Sequence, residues 1–94
     1  MNNIQDIDLS PLASADVLKN LRSLDLSSNH LTKDGMKILT ECENFYNLWS
    51  LNVSSNKIQN IGVMMIAKTK AFPALEHLDI SKTEITETGI EAIT

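Results

Sequence analysis

The chain has 94 residues, which is enough for one domain built around a single core. Apolar residues make up 43% of it, charged residues 21% and aromatic residues 4%, a balance typical of a folded protein with an aliphatic core. Eight Lys and Arg against twelve Asp and Glu leave a net charge of −4, which disfavours nucleic acid and anionic membranes as partners.

Cysteine usage and the first residues indicate the compartment. The single cysteine, Cys42, cannot form an internal disulfide or a zinc site built from several thiolates. The N-terminal residues lack the basic region and apolar run of a secretory signal, and no stretch approaches the roughly 18 apolar residues that span a bilayer. We therefore predict a cytoplasmic protein.

A repeat with a period of 27 residues organises the sequence. The pattern appears first as Leu21, Leu24, Leu26, Asn29 and Leu31, then as Leu48, Leu51, Val53, Asn56 and Ile58, and finally as Leu75, Leu78, Ile80, Thr83 and Ile85. Three copies without a gap predict a repeat architecture over the whole chain.

The register divides the chain into a partial repeat at 1–20, complete repeats at 21–47 and 48–74, and a truncated repeat at 75–94. In the partial repeat Asp8 takes the glycine position, and Ser10-Pro11 suits the start of a helix. Because the register begins and ends in mid-repeat, we expect one module from a longer array. We also expect core side chains to be exposed at both ends and to pair in an end-to-end homodimer; these are Ile4, Leu9, Leu12, Ile80, Ile85, Ile90 and Ile93.

Each complete repeat is predicted to contain one strand and one helix. A strand such as Leu24-Asp25-Leu26 turns its leucines inward and its middle residue outward. An apolar pattern typical of a short helix follows Gly35, Gly62 and Gly89, the only glycines in the chain. Parallel strands need such a crossover, which covers one side of the sheet and leaves the other side bare.

This pattern resembles the leucine-rich repeat family over nearly the whole chain. The period and the segments 31–39 and 85–93 are similar to the ribonuclease-inhibitor-like and cysteine-containing classes, and similar repeats occur in bacterial effectors. The resemblance implies an α/β solenoid, a short horseshoe segment with a parallel sheet on its concave face and helices on its convex face. It also implies a module that binds a protein, and an effector secreted into a host cytosol is the alternative to a resident cytoplasmic protein.

The ladder position follows each strand and is occupied by Asn29, Asn56 and Thr83. A side-chain amide there can satisfy backbone groups of the turn that would otherwise be buried without partners. The hydroxyl of Thr83 has less capacity for this task, so we expect the third repeat to be bonded less completely.

Neither catalysis nor a metal site is predicted. Cys42 falls at the end of a convex helix, whereas His77 and Asp79 lie on the strand face, so a nucleophile and its base do not meet. The positions equivalent to His77 and Asp79 in the other repeats provide no cluster of metal ligands. The sequence thus predicts a protein that is not an enzyme and carries no cofactor.

The outward positions of the strands are the candidate partner-binding site, because the fold does not require them to be apolar. They are Ser23, Asp25, Trp49, Ser50, Asn52, His77, Asp79 and Lys82. Trp49 stands out because Arg22 and Glu76 hold its position in the neighbouring repeats, and tryptophan is a favoured interface anchor. The alternative is that Trp49 folds over the rim and shields a neighbouring repeat.

A second anomaly lies on the predicted convex side. Ile61 and Met64 are apolar where the neighbouring repeats are polar, and their spacing allows one patch on a helix start. Our preferred interpretation remains a protein-binding module that uses its strand face. The alternative is the substrate-recognition part of a larger enzyme or regulatory assembly, such as a ubiquitin ligase or an effector, with catalysis encoded elsewhere.

Overall fold

The computed structural model describes residues 4–9, 11, 19–42 and 44–86. Three short strands alternate with two helices in these ranges: β1 (Ser23–Asp25), α1 (Lys33–Thr40), β2 (Ser50–Asn52), α2 (Gln59–Lys68) and β3 (His77–Asp79). A 3-10 helix at Asp6–Asp8 precedes β1. The predicted helix after Gly89 lies outside the described residues, as do Ser10, Leu12, Ile90 and Ile93.

The strands form one parallel sheet in the order β1-β2-β3. Its register pairs Leu24 with Leu51 and Leu51 with Leu78, so residues 27 positions apart stand side by side. The backbone hydrogen bonds continue past the strands, where Leu26 N donates to Asn52 O at 2.7 Å and Ser28 N donates to Ser54 O at 3.0 Å. The α/β solenoid that the resemblance implies is confirmed.

The core lies between the sheet and the helices. Leu51 and Val53 of the middle repeat are buried, and Phe45 and Phe72 pack against each other with ring centroids 6.2 Å apart. The rest of the buried apolar cluster is Leu9, Leu26, Leu31, Met36, Leu39, Cys42, Leu48, Ile58, Val63 and Ile66. Leu9 is only 1% exposed, so the expectation that it forms part of an exposed solenoid end is wrong.

Gly35 and Gly62 lie inside the helices, and the expectation that these two helices begin after their glycines is wrong. Gly35 and Gly62 are both buried within α1 and α2. A Cβ at Gly62 would overlap the side chain of Ile58 and would come within 3.2 Å of Met36 on the neighbouring helix. Glycine is thus retained where a helix turn packs tightly on its neighbours.

Polar contacts join the helix starts of successive repeats. The Asp6 carboxylate accepts from Thr32 N at 2.8 Å, and the Thr32 hydroxyl caps α1 by accepting from Asp34 N at 3.2 Å. At the equivalent place two repeats later, Thr86 N donates to Asn60 Oδ1 at 2.9 Å. These contacts align the convex side, just as the strand hydrogen bonds align the concave side.

Candidate binding surface on the strand face

The register places the predicted site residues in columns across the sheet. One column is Ser23, Ser50 and His77, and the next is Asp25, Asn52 and Asp79. Most of these side chains are exposed, while Ser50 and Asn52 of the middle repeat are half-buried. Lys82 is also exposed but lies in the turn after β3, away from the column that holds Trp49.

The second column is engaged in local hydrogen bonds that repeat along the solenoid. Asp25 Oδ1 accepts from Ser27 N at 2.9 Å and from the Ser27 hydroxyl at 2.6 Å. The same pair of bonds recurs in the other two repeats, between Asn52 and Ser54 and between Asp79 and Ser81. An Asx turn of this kind ends each strand in the same way.

These hydrogen bonds also set the acidity of the two carboxyl groups. Bonds from the Ser27 hydroxyl and backbone N–H hold the pKa of Asp25 below its ordinary value. Bonds from the backbone N–H and hydroxyl of Ser81 lower the pKa of Asp79 in the same way. Both side chains therefore carry negative charge on the strand face at neutral pH.

The ladder residues continue the same turn. Asn56 Oδ1 accepts from Leu31 N at 3.0 Å, and Asn56 Nδ2 lies 2.9 Å from Leu26 O. Its amide nitrogen also lies 3.1 Å from the carbonyl oxygens of both Val53 and Ser54. Asn29 makes the equivalent bond to Ile4 N and bonds to Leu26 O and Ser27 O.

Thr83 occupies the ladder position with a smaller hydrogen-bonding capacity. Its hydroxyl donates to Ile80 O at 2.6 Å and is fully buried. A threonine hydroxyl donates one hydrogen and accepts through the same oxygen, whereas an asparagine amide donates two hydrogens and accepts through a separate oxygen. The side chain of Thr83 therefore closes its own turn without bridging to the preceding repeat as Asn56 does.

Trp49 lies directly before β2 and is held from the side of the third repeat. Its indole Nε1 donates to Glu76 Oε2 at 2.6 Å, and its ring meets that of His77 edge to face at 67°, with centroids 4.2 Å apart. The side chain is nevertheless 41% exposed. Trp49 thus both contacts the neighbouring repeat, as in the shielding alternative, and presents aromatic surface to solvent.

An open groove of about 700 Å³ surrounds Trp49 at the side of the sheet where the strands begin. Arg22 lines it one strand before Trp49, and Glu76 lines it one strand after. The remaining lining residues are Asn20, Asn47, Pro73, Ala74 and Leu75. The groove therefore has an aromatic centre with a positive group on one side and a negative group on the other.

A family model described as "Leucine Rich repeat" matches the chain at residues 17–39, 47–67 and 73–93. These three segments cover more than half of the sequence, and each of them contains one of the strands described above. The chain belongs to the leucine-rich repeat family. A search of curated proteins finds no significant match.

In this leucine-rich repeat protein the thiol of Cys42 lies apart from the imidazole of His77 and the carboxylate of Asp79. Cys42 is buried in the core beyond the end of α1, while His77 and Asp79 are exposed on β3. Within the described ranges, no three His, Cys, Asp or Glu side chains are grouped so that they could hold a metal ion. No helix in the described part of the chain is long and apolar enough to cross a bilayer.

The predicted convex patch is only partly exposed. Ile61 is 51% exposed on α2, whereas Met64 is half-buried. Ile7, which stands at the equivalent position two repeats earlier, is 75% exposed, but Asp34 occupies the position between them. Ile61 and part of Met64 therefore reach the surface of α2, and the preceding repeat has the polar residue Asp34 at the Ile61 position.

Two sets of contacts were not anticipated from the sequence. The bonds to the serines could have been predicted, because an Asx-x-Ser pattern recurs with the period at Asp25, Asn52 and Asp79. For the bond between Trp49 and Glu76, the only indication in the sequence is that the two residues occupy the same position in successive repeats. Its geometry depends on how the two side chains turn towards each other across neighbouring strands.

Proposed function

We propose that the chain is a single protein-binding module that holds its partner on the strand face, with Trp49 as the anchor. Leucine-rich repeats generally mediate protein-protein interaction, and this chain has their sheet and helices. The observation that carries the proposal is the state of Trp49, which is fixed by Glu76 and His77 and is still 41% exposed.

Fixing the ring before binding favours affinity. A side chain that is already ordered loses little conformational entropy when a partner covers it. The indole N–H of Trp49 already has an acceptor in Glu76, so a partner can cover the ring without leaving that polar group unpaired. Ser50, together with Ser23 and Asn52 beside it, provides small polar groups around this anchor.

The turn residues support this surface without being its anchor. Asp25, Asn52 and Asp79 accept hydrogen bonds from their own repeats through one oxygen, and each carboxylate retains further acceptor capacity for a partner. His77 contributes its ring beside Trp49, while Lys82 extends the surface beyond β3. We assign Asn29, Asn56 and Thr83 to support of the fold.

The finer assignments extend the same proposal. The helical convex side and the period of 27 residues support the ribonuclease-inhibitor-like or cysteine-containing class, and the ladder residues Asn29 and Asn56 favour the former. We propose a module that binds without catalysing a reaction and that resides in a cytoplasm, where its single thiol stays reduced.

Comparative capture tests the proposed surface. Wild-type protein, Trp49→Ala and the convex variant Ile61→Asp are immobilised, and the proteins retained from a lysate are quantified by mass spectrometry. We expect partners to be retained by wild type and by Ile61→Asp and to be lost with Trp49→Ala, with thermal melts showing that all three are folded. Loss with Ile61→Asp and retention by Trp49→Ala would place binding on the convex side instead.

A further inference from the structure

We propose that the Trp49 groove takes a cationic side chain of the partner, best an arginine, seated on the exposed face of the indole beside Glu76. This inference rests on the proposed function, since it names the chemistry of the partner at the same surface.

The hydrogen-bonding edge of Trp49 is not available to a partner. Nε1 donates to Glu76, and His77 stands close against the ring on the side of the third repeat. What the indole still offers is the rest of its ring system, since Trp49 is 41% exposed. An aromatic face attracts cations and apolar groups, and a planar guanidinium can also stack on it.

On the side of the third repeat, the charge beside the ring favours a cation over a neutral or acidic group. Glu76 places a carboxylate oxygen 2.6 Å from the indole nitrogen, and Asp79 carries a second negative charge further along the same strand. The third repeat therefore presents the Glu76 carboxylate to a group lying over Trp49, while Asp79 lies at the far end of β3. Lys82 follows the end of β3, whereas Glu76 precedes its start, so Lys82 lies at the opposite end of the strand from Glu76.

Arg22 provides the positive charge on the other side of the groove and so sets the direction of the electric field across it. It lines the opposite side, one strand before Trp49, and neighbouring strands are about 4.8 Å apart. A cation over the ring is repelled from the Arg22 side and attracted to the Glu76 side. The two residues flank the same ring with opposite charge, so neutralising them must change the binding of a cation in opposite directions.

The chain contains a built-in reporter for the test, since Trp49 is its only tryptophan. The probe is the synthetic peptide acetyl-Gly-Arg-Arg-Gly-amide, titrated at low ionic strength while the fluorescence of Trp49 is recorded. The comparison peptide is acetyl-Gly-Glu-Glu-Gly-amide. We expect a saturable change with the arginine peptide and none with the glutamate peptide.

Three single-charge variants separate the site from general attraction to an acidic protein. Glu76→Gln keeps an oxygen that can accept from the Trp49 indole, so it removes charge with the least change in geometry. Glu41→Gln removes the same charge from an exposed side chain at the end of α1. Arg22→Gln removes the positive charge beside the ring.

For the arginine peptide we expect Glu76→Gln to weaken binding about threefold and Arg22→Gln to strengthen it by a similar factor. Glu41→Gln should change it by less than either. Absence of a saturable response in wild type, equal responses to both peptides, or equal effects of Glu76→Gln and Glu41→Gln would overturn the inference. If capture of the partner still depends on Trp49 in those cases, the proposed function stands and only the cationic partner is rejected.

Discussion

The two edges of the strand face follow different rules. The edge where the strands end, which we call the turn edge, has the same construction in each repeat: an Asx residue bonded to the serine two positions later, and then a residue with left-handed backbone. That last residue is Ser28, Ser55 or Lys82, with φ of 58°, 56° and 55°. The edge where the strands begin, which we call the leading edge, carries Arg22, Trp49 and Glu76.

The difference shows which positions the fold requires. Turn-edge side chains satisfy backbone groups, so each repeat needs a residue that can accept or donate at the same place. Leading-edge side chains extend from a backbone that is already paired, since Trp49 N donates to Arg22 O and Glu76 N donates to Trp49 O. Their chemical identity is therefore available for binding, and this is where the repeats differ most in charge and size.

The largest loss of stability is expected at a repeated inward position. Leu51 is 1% exposed in the centre of the sheet, and Leu51→Ala should cost about 2–5 kcal/mol of unfolding free energy through lost burial and a residual cavity. A module of this size has little stability in reserve. Urea melts of both proteins measure the loss, and an unchanged midpoint would contradict the inward orientation of Leu51.

The ladder offers a sharper comparison within the turn edge. Asn56→Ala removes bonds to Leu31 N and to three carbonyl oxygens, and should cost on the order of 2–4 kcal/mol. Thr83→Ala removes the bond to Ile80 O and should cost about 1 kcal/mol. Equal losses for the two variants in urea melts would show that bridging between repeats contributes nothing.

A helix substitution that normally stabilises should destabilise this protein. Alanine is favoured over glycine in a helix interior by about 1 kcal/mol, but a Cβ at position 62 overlaps the buried Ile58 side chain. We expect Gly62→Ala to lower the unfolding free energy by about 1–3 kcal/mol through overpacking. A higher melting temperature would mean that α2 has room to shift away from Ile58.

The smallest effect is expected when the turn-edge carboxylate is replaced by its amide. Asn52 makes the same pair of bonds in the middle repeat, so Asp25→Asn should be close to neutral at pH 7. Asp25→Ala should cost below about 1 kcal/mol, because the bonds are exposed to solvent. A loss with Asp25→Asn as large as with Asp25→Ala would contradict the Asx-turn role.

The pH dependence of the Asp25 contribution has a definite sign. The folded-state pKa is lowered by the two bonds from Ser27, so the unfolded chain binds the proton at higher pH than the folded chain does. The stabilisation is present above the ordinary value of 3.8 and is lost as the pH falls through the lowered pKa. NMR titration of the Asp25 carboxyl carbon should give a midpoint below 3.8, and a midpoint above it would contradict the bonds.

The sequence was sufficient for the architecture because the period repeats inward leucines at fixed spacing. It predicted the parallel strands, the helical crossovers and the column that holds Trp49. The helices begin earlier than predicted, because the prediction places each helix start after a glycine. Gly62 is needed instead for close packing against Ile58 and Met36.

The candidate site was less predictable for a physical reason. Column membership follows from the register, but side-chain partners depend on rotamers and on neighbours in other repeats. Asp25 and Asp79 therefore looked available to a partner, although each uses one oxygen to close its own turn. The Trp49–Glu76 bond likewise could not be distinguished from two unconnected side chains in one column.

The most direct test of this account compares one variant from each edge in the same two measurements. Trp49→Ala and Asp25→Asn are each examined by thermal unfolding and by titration calorimetry with the captured partner, with the convex variant Lys37→Ala as the control. We predict that Trp49→Ala weakens binding by about 2 kcal/mol or more while remaining folded, that Asp25→Asn weakens it by less, and that Lys37→Ala binds like wild type. Unchanged affinity in folded Trp49→Ala would contradict the assignment of binding to the leading edge.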